Sequence, residues 1–128
     1  MAENAISPFG VRRLNVDISI IDISGEINAQ AEDALMGAYT EATRENPGTI
    51  VLNFTDLEYM NSRGIGLLVT LLIRVKRNGQ RLLAFGLSDH YRQIFDVTRL
   101  GEAIQIFNTE EETLAAGGMP GTRQVRRS

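Results

Sequence analysis

The chain has 128 residues, of which 43% are hydrophobic and 23% are charged, and its formal net charge is −3. This length and composition suit one globular domain with one core and exclude wholesale disorder. The net charge of −3 does not resemble that of a nucleic-acid-binding protein, which needs a strongly basic face. Without cysteine the chain has neither a disulfide framework nor thiolate chemistry.

The N-terminal residues 1–10 show no apolar period, and we expect them to be flexible. They also lack the basic region and the apolar stretch of a secretory signal. The longest apolar run, Ile65–Ile73, is about half of the roughly 18 residues that a membrane span needs. We therefore expect a cytoplasmic protein without a membrane segment.

Two strands are predicted next. The first is the short segment Val11–Leu14. In the second, apolar and polar residues alternate approximately from Val16 to Ile23, which is the pattern of a half-buried strand, and Ser24-Gly25 is expected to end it.

A first helix and a buried strand follow. Asn28 is a suitable N-cap for a helix over Ala29–Arg44, whose apolar residues recur at spacings of three and four, and Asn46-Pro47-Gly48 ends that helix. Thr49–Phe54 is apolar and bounded by turn residues, which predicts a central strand. The next residues, Asp56–Asn61, are expected to form a connection.

The second half of the chain continues this alternation. A helix is predicted over Ser62–Lys76, ending at Asn78-Gly79, and a strand over Arg81–Gly86. The remaining predicted elements are a helix from Ser88 to Thr98, a strand over Ala103–Phe107 and a short helix that ends at Ala116.

The predicted order is therefore β-β-α-β-α-β-α-β-α. Strands that alternate with helices favour one α/β domain over residues 11–116, with a mixed, mainly parallel sheet of about four to five strands and about four helices. The leading strand pair adds an antiparallel edge. Residues 117–128 contain three arginines and no acid, and we expect them to form a disordered basic tail.

Few residues favour an enzyme. The single histidine, His90, has no cysteine or second histidine to complete a metal cluster, and we expect it to be a polar surface residue. Asp33, Asp56 and Glu58 are scattered carboxylates. Gly64-Ile65-Gly66 lacks the third glycine and the lysine of phosphate-binding loops. We therefore expect no catalytic residue, no metal and no cofactor.

The start of the second predicted helix leaves two interpretations open. Asn61 or Ser62 is suited to be the N-cap, whose side chain accepts a hydrogen bond from an otherwise unpaired backbone amide. A helix N-terminus also accommodates a phosphate. A phosphoserine at Ser62 would add about two negative charges without destroying the helix.

The same helix is apolar on almost every side. Besides one stripe for the core, it carries further apolar residues, which are Ile65, Leu67, Val69 and Ile73. Either neighbouring elements cover all of them, or part of this surface is left for a partner. The sequence leaves both arrangements open.

The segment Val51–Gly66 resembles the signature of STAS domains, specifically those of bacterial anti-sigma factor antagonists. That signature is an apolar strand, Asp-Leu, two apolar residues and then Asp-Ser-small-Gly-Leu-Gly. Here its last part is Asn61-Ser62-Arg63-Gly64-Ile65-Gly66. Gly25-Glu26-Ile27-Asn28 resembles the Gly-Glu-Leu-Asp that precedes the family's first helix, and Ile94–Leu100 resembles its third helix. The resemblance extends from about Val11 to Ala116.

This resemblance implies a STAS-like fold and a partner-switching role. In the family, the unphosphorylated antagonist binds an anti-sigma factor that is itself a serine kinase of the GHKL type. The kinase phosphorylates a serine of the antagonist and the complex dissociates, and a PP2C-type phosphatase resets the system. By position, the phosphorylated residue is Ser62. The resemblance also implies a binding surface that consists of the Asp56–Gly64 loop, the exposed side of the following helix and the turn near Gly25–Asn28. Its partner-binding residues are Glu26, Asn28, Asp56, Glu58, Tyr59, Met60, Asn61, Arg63, Gly64 and Ile65.

Two positions differ from the family signature. Asn61 replaces an aspartate and keeps its hydrogen-bonding geometry without its charge. Arg63 replaces a small residue and is able to pair with a phosphate on Ser62 or with an acidic partner.

Two other classes of function compete with the regulatory one. The chain could be a structural STAS subunit of a signalling scaffold or of a transporter complex, or it could be a nucleotide-binding domain or enzyme. A homodimer is compatible with the regulatory function, and we expect neither nucleic acid nor a membrane as a partner.

Overall fold

A computed structural model of the chain describes residues 9–117. The strands are β1 (Phe9–Arg13), β2 (Ile18–Ile27), β3 (Thr49–Met60), β4 (Arg81–Phe85) and β5 (Gln105–Phe107). The helices are α1 (Glu32–Ala42), α2 (Ser62–Arg77), α3 (Asp89–Val97), α4 (Leu100–Ala103) and α5 (Glu110–Gly117), and a short 3-10 turn, Ala29–Ala31, precedes α1. Residues 1–8 and 118–128 of the predicted flexible N-terminus and basic tail lie outside the described residues. Phe9 and Gly10 belong to β1 and Gly117 to α5, so the expectation is wrong at these three positions.

The five strands form one sheet in the order β1-β2-β3-β4-β5. Strand β1 is antiparallel to β2, and every other neighbouring pair is parallel. This confirms the predicted mixed, mainly parallel sheet with an antiparallel edge. Because successive parallel strands are added in one direction by crossovers of one hand, α1, α2 and α3 all lie on the same face. Among residues 9–117, no helix combines the length and apolar character of a membrane-spanning segment.

Both faces of the sheet are apolar. On the larger core's face, Ile50, Leu52 and Phe54 of β3 pack against the three crossover helices, and the rings of Phe54 and Phe95 meet edge to face at 6.0 Å. On the opposite face a smaller core includes Val51 and is covered by α5 through Leu114. Burial on both faces explains why the central strands are continuously apolar in the sequence.

The prediction that Ser24-Gly25 ends the second strand is wrong, because β2 continues to Ile27. Its parallel partner β3 also continues, to Met60, so that the predicted connection Asp56–Asn61 is mostly strand. The pairing shifts register twice, between Asp22 and Ser24 and between Gly25 and Glu26. Gly25 has a φ of 77°, which glycine adopts without strain, and the irregularity is absorbed as a bulge. Strands β2 and β3 therefore form a two-stranded ribbon that extends beyond the end of β4.

Two further boundaries differ from the prediction. Helix α1 is shorter than Ala29–Arg44 because its first residues form the 3-10 turn, for which the Asn28 side chain accepts a hydrogen bond from the Gln30 amide at 3.0 Å. Arg99 has a φ of 68°, and the helical turn α4 follows it directly, so that β5 begins at Gln105 rather than at Ala103. The described residues consequently contain five α-helices rather than about four.

Candidate functional site

The N-terminus of α2 lies at the tip of the β2–β3 ribbon. Met60, the last residue of β3, is the register partner of Ile27, the last residue of β2. The Asn61 amide then donates a hydrogen bond to the Ile27 carbonyl at 3.3 Å, and the helix begins at the next residue, Ser62. A connection of one residue therefore joins β3 to the helix and places Ser62 at the carboxyl ends of β2 and β3.

Asn61 is the N-cap of α2. Its backbone is extended, with φ −98° and ψ −175°, and its side-chain oxygen accepts a hydrogen bond from the Gly64 amide at 2.9 Å. This is the geometry in which an Asx side chain satisfies one of the unpaired amides of a helix start. Of the two residues suited to this role, the structure uses Asn61.

Ser62 is the first residue of the helix and is exposed. Its hydroxyl has no hydrogen-bond partner among residues 9–117. The hydroxyl is therefore not needed for capping and is accessible to an enzyme that acts on it. The surrounding helix start favours negative charge because its backbone amides and the helix dipole point toward it.

Close packing fixes where α2 begins. A Cβ atom on Gly64 would overlap the carbonyl oxygen of Ile27 and would lie 2.8 Å from Cγ of Met60. Only glycine lets the first turn of the helix approach the end of β2 this closely. A Cβ atom added to Gly66, two residues further on, would have nothing within 4 Å.

Tyr91 of α3 also stabilises the junction between β3 and α2. Its side chain is 8% exposed, and its hydroxyl accepts a hydrogen bond from the Met60 amide at 2.9 Å. The sequence contains no local signal for this bond. Tyr91 thus satisfies a buried backbone donor two residues before Ser62 and ties the ribbon tip to a second helix.

The ribbon places most of the other predicted partner-binding residues together. Glu26 is the register partner of Tyr59, and Asp56 follows on the same ribbon opposite Ser24. Glu26, Asp56 and Glu58 are exposed, and Tyr59 is 53% exposed. The ribbon that leads to Ser62 therefore exposes three carboxylates, which are called the acidic rim below, and one aromatic ring.

Four predicted partner-binding residues lie differently. Met60 is 4% exposed and Gly64 is buried, so neither offers side-chain area to a partner, and both act by positioning α2. Asn28 is half-buried, caps the 3-10 turn and donates to Glu26 at 3.3 Å. Ile65 is half-buried against the main core. Arg63, in contrast, is exposed in the first turn of α2.

The outer side of α2 is only partly covered. Its buried side faces the sheet through residues that include Leu68, Leu71 and Val75. Val69 and Ile73 remain 40% and 51% exposed. Of the two arrangements left open by the sequence, the structure shows the one in which part of the apolar surface of this helix stays accessible.

The remaining candidates for chemistry are dispersed. His90 is exposed, and its ring meets that of Tyr91 at 4.8 Å. Within the range 9–117, no group of three or more His, Asp or Glu side chains is arranged to hold a metal ion. The site is thus a surface with an accessible hydroxyl rather than a cleft with converging catalytic groups.

The chain is similar to known proteins in sequence and in fold. The family model for the STAS domain matches residues 12–113. The chain is 29% identical over 103 residues to a Listeria monocytogenes protein named anti-sigma-B factor antagonist, covering 80% of this chain and 90% of that protein.

Two solved structures share the fold. The Bacillus cell fate determinant SpoIIAA in its phosphorylated form is 24% identical, with a TM-score of 0.66, covering 84% of this chain and 97% of that one. A sulfate transporter family protein from Wolinella succinogenes is 18% identical, with a TM-score of 0.73, covering 91% of this chain and 93% of that one.

Proposed function

This chain belongs to the STAS domain family, and we propose that it is a partner-switching regulator of the anti-sigma factor antagonist type. In this proposal a serine kinase of the GHKL type binds the unphosphorylated protein and phosphorylates Ser62, and a PP2C-type phosphatase removes the phosphate. The name of the Listeria relative supports the class of function. The choice of Ser62 rests on its position in the family signature, and the geometry at the start of α2 supports it.

The observation that carries the proposal is the separation of two roles between neighbouring residues. Asn61 caps the helix through its bond to the Gly64 amide, so that the exposed Ser62 hydroxyl has no structural task. A modification of Ser62 therefore changes the surface without removing the cap. The helix start also tolerates the added negative charge.

The proposed phosphoryl transfer requires no catalytic group from this protein. The Ser62 oxygen attacks the γ-phosphorus of ATP, the bond from that phosphorus to the ADP oxygen breaks, and the hydroxyl proton passes to a base of the kinase. Positioning and Mg²⁺ in the kinase active site provide the catalysis. This protein contributes an accessible hydroxyl on a rigid helix start, together with a surface for docking.

The acidic rim gives a physical reason for release. Glu26, Asp56 and Glu58 are exposed and make the surface of the ribbon that leads to Ser62 negative. A partner that binds there must accommodate these charges, and a phosphate on Ser62 adds about two more, with a further desolvation cost. We expect the phosphorylated form to leave the kinase for this reason.

Phosphorylation in vitro tests the proposal. The GHKL-type kinases of the source organism would be purified one by one and incubated with the protein, Mg²⁺ and ATP, with intact-mass analysis and peptide mapping as readouts. We expect one kinase to add a single phosphate to Ser62, and Ser62→Ala to remain unmodified. The matched control is Ser88→Ala, which removes another exposed serine at a helix N-terminus and should still be labelled. Labelling of Ser62→Ala, or of no protein by any of the kinases, would overturn the assignment.

The structural-subunit alternative predicts a different behaviour. A subunit of a scaffold should assemble into a large particle alone or with a homologue, whereas a switching regulator should elute from size-exclusion chromatography as a monomer or a dimer. A large assembly, combined with no labelling of Ser62, would favour the alternative.

A further inference from the structure

A groove lies between the C-terminal ends of α1 and α2, at the opposite end of α2 from Ser62. Its volume is about 370 Å³, which is within the range of small-molecule sites. At 1.5 Å per residue, Arg77 lies about 22 Å along the helix from Ser62, so the groove is separate from the proposed phosphorylation site. The residues that line it within the range 9–117 are Tyr39, Thr40, Thr43, Arg74, Arg77 and Asn78.

Every side chain that lines the groove is able to donate a hydrogen bond. Two of them carry guanidinium groups, three carry hydroxyl groups and one carries an amide, and none of the six is acidic. The acid nearest to them in sequence, Glu41 of α1, is paired with Arg13 and Arg44 at 3.8 and 3.2 Å. The groove therefore concentrates donors and positive charge on a chain whose net charge is −3.

The two guanidinium groups have no partner in the described part of the chain. Arg74 and Arg77 are exposed and form no side-chain hydrogen bond or ion pair with residues 9–117. The same holds for the other cations of α2, Arg63 and Lys76, and this helix contains no acid. At a spacing of three residues, Arg74 and Arg77 lie on the same side of the helix, where like charges repel each other. An anion bound between them would remove this repulsion.

Capping of α2 does not explain the two arginines. The carbonyl oxygens of Arg74, Val75 and Lys76 each accept a hydrogen bond at 3.0 Å from a backbone amide of the turn that follows. The end of the helix is therefore largely satisfied without a side chain. A cation near a helix C-terminus does interact favourably with the dipole, but this interaction requires neither a groove nor hydroxyl groups beside the cation.

A buried hydrogen-bond network fixes one side of the groove. Tyr39 is 3% exposed, and its hydroxyl donates to Gln80 at 2.6 Å and accepts from Asn78 at 2.7 Å. The Gln80 amide donates to the Thr43 hydroxyl at 2.6 Å and to the Pro47 carbonyl at 2.9 Å. Thr43 thus accepts within the network, and its own proton has no acceptor among residues 9–117. This donor and the second amide proton of Asn78 are held in place before a ligand binds.

We infer that this groove binds a small anion that carries a phosphate group. Guanidinium groups bind phosphate oxygens in a bidentate manner, and the hydroxyl and amide donors add further hydrogen bonds. A phosphate offers three or more acceptor oxygens, which engage the six donor side chains more fully than the two oxygens of a carboxylate do. The inference involves neither Ser62 nor a protein partner and does not rest on the proposed function.

A phosphate titration followed by NMR tests the site. The ¹⁵N-labelled protein would be titrated with sodium phosphate and, separately, with glycerol 3-phosphate, each replacing chloride at constant ionic strength and pH, with glycerol as the neutral control. We expect the amide shifts to saturate and to map to residues 39–43 and 74–78. Tighter binding of glycerol 3-phosphate would identify an organic phosphate as the ligand, and tighter binding of inorganic phosphate would identify the free ion.

Two double variants separate the groove from the general charge of the protein. Arg74→Gln/Arg77→Gln removes both guanidinium groups of the groove and should raise the Kd for phosphate about tenfold or more. Arg63→Gln/Lys76→Gln removes the same charge from unpaired cations of the same helix that do not line the groove, and should change the Kd by less than about twofold.

Thr40 offers an independent test at an exposed position of α1. Thr40→Glu adds a carboxylate to the lining of the groove and should abolish saturable binding. Thr40→Gln introduces a side chain of the same size without the charge and should retain it. Both variants should fold, because Glu and Gln have higher helix propensities than Thr.

Three results would overturn the inference: phosphate shifts that do not saturate, an equal loss of binding in both double variants, or equal phosphate binding by Thr40→Glu and Thr40→Gln. Because no kinase is present, failure here leaves the phosphorylation of Ser62 standing, and failure of the kinase assay leaves this groove standing.

Discussion

At the scale of single residues, Asn61 and Ser62 are adjacent but have different environments. The Asn61 side chain is bonded to the backbone of the helix it precedes, whereas the Ser62 side chain is exposed and without a partner among residues 9–117. The stability of α2 should therefore depend on Asn61, and changes in surface charge at Ser62 should leave the fold intact.

The cap can be tested by substitution. Asn61→Ala should lower the free energy of unfolding by about 1 kcal/mol, because the Gly64 amide loses its acceptor. Asn61→Asp should preserve stability or add to it, since a carboxylate caps equally well and interacts favourably with the helix dipole. Urea unfolding measures both. Ser62→Ala is the matched control and should change stability by less than about 0.5 kcal/mol. A larger loss in Ser62→Ala than in Asn61→Ala would contradict this assignment of the cap.

The effect of a negative charge at position 62 can be tested with the variant Ser62→Asp. This variant should keep the circular dichroism spectrum and melting temperature of the wild type, because a helix N-terminus tolerates an acid. Its affinity for the partner kinase should fall about tenfold or more, which corresponds to about 1.4 kcal/mol. Ser62→Ala should bind like the wild type. Calorimetric titration against the kinase is the measurement, and equal affinities for the wild type, Ser62→Asp and the authentic phosphoprotein would show that Ser62 does not control binding.

At the scale of elements, the contact between α2 and the end of β2 sets the position of the site. The first turn of the helix lies against the carbonyl of Ile27, and the strand before it is bonded to Tyr91. The site thus depends on four elements, which are β2, β3, α2 and α3 and which meet at the ribbon tip.

Two glycines of α2 should respond in opposite ways to alanine. Gly64→Ala puts a methyl group onto the Ile27 backbone, which cannot move as a side chain does, and should cost about 1–3 kcal/mol. Gly66→Ala adds the same atom at an exposed position with nothing within 4 Å, and should stabilise the protein by up to about 1 kcal/mol through its helix propensity. Thermal unfolding compares the two. A shift of the same sign in both variants would mean that the close approach at Gly64 does not constrain the helix.

At the scale of the whole molecule, an ionic cluster joins the antiparallel edge of the sheet to the helix on its second face. Arg12 of β1 donates to both carboxylate oxygens of Asp22, at 2.6 and 2.7 Å, and also to Glu110 of α5, at 3.2 and 3.0 Å. Asn53 of β3 donates to Asp22 at 2.8 Å. Burial by itself raises the pKa of Asp22, but the hydrogen bonds from Arg12 and Asn53 outweigh burial and leave this pKa below its ordinary value.

This cluster predicts a pH dependence of stability. Since the pKa of Asp22 is lower in the folded state, its contribution is complete above the unfolded value of about 3.9 and is lost as the pH falls through the folded value. Asp22→Asn should therefore flatten the decline of the unfolding free energy below about pH 4. At pH 7 its cost should be modest, because the Asp22 side chain is 34% exposed and solvent screens the pair. Urea unfolding from pH 2.5 to pH 7 measures this, with the exposed Asp96→Asn as control. If the unfolding free energy declines equally steeply with falling pH in Asp22→Asn and in the wild type, the prediction is contradicted.

The sequence by itself determined the fold class and indicated the start of α2 as the candidate site. Alternation of strands and helices follows from local apolar periods of two and 3.6 residues, which short segments show without their neighbours. The mixed, mainly parallel sheet, the antiparallel edge and the start of α2 at Ser62 were therefore predictable. The resemblance of Asn61–Gly66 to a family signature then singled out Ser62, whereas local chemistry alone left capping and phosphorylation as alternatives.

Tertiary structure decided the features that depend on residues far apart in the chain. Ser24-Gly25 carries a local turn signal, yet β2 continues through it because β3 supplies a parallel partner as far as Met60. The hydrogen bond from the Met60 amide to the Tyr91 hydroxyl joins residues 31 positions apart, and no local period of apolar residues indicates it. The absence of an acid from α2 is visible in the sequence, but that its cations are unpaired within residues 9–117 is not. A side chain's pairing depends on which distant groups the packed chain brings within bonding distance, and a local pattern contains no such distances.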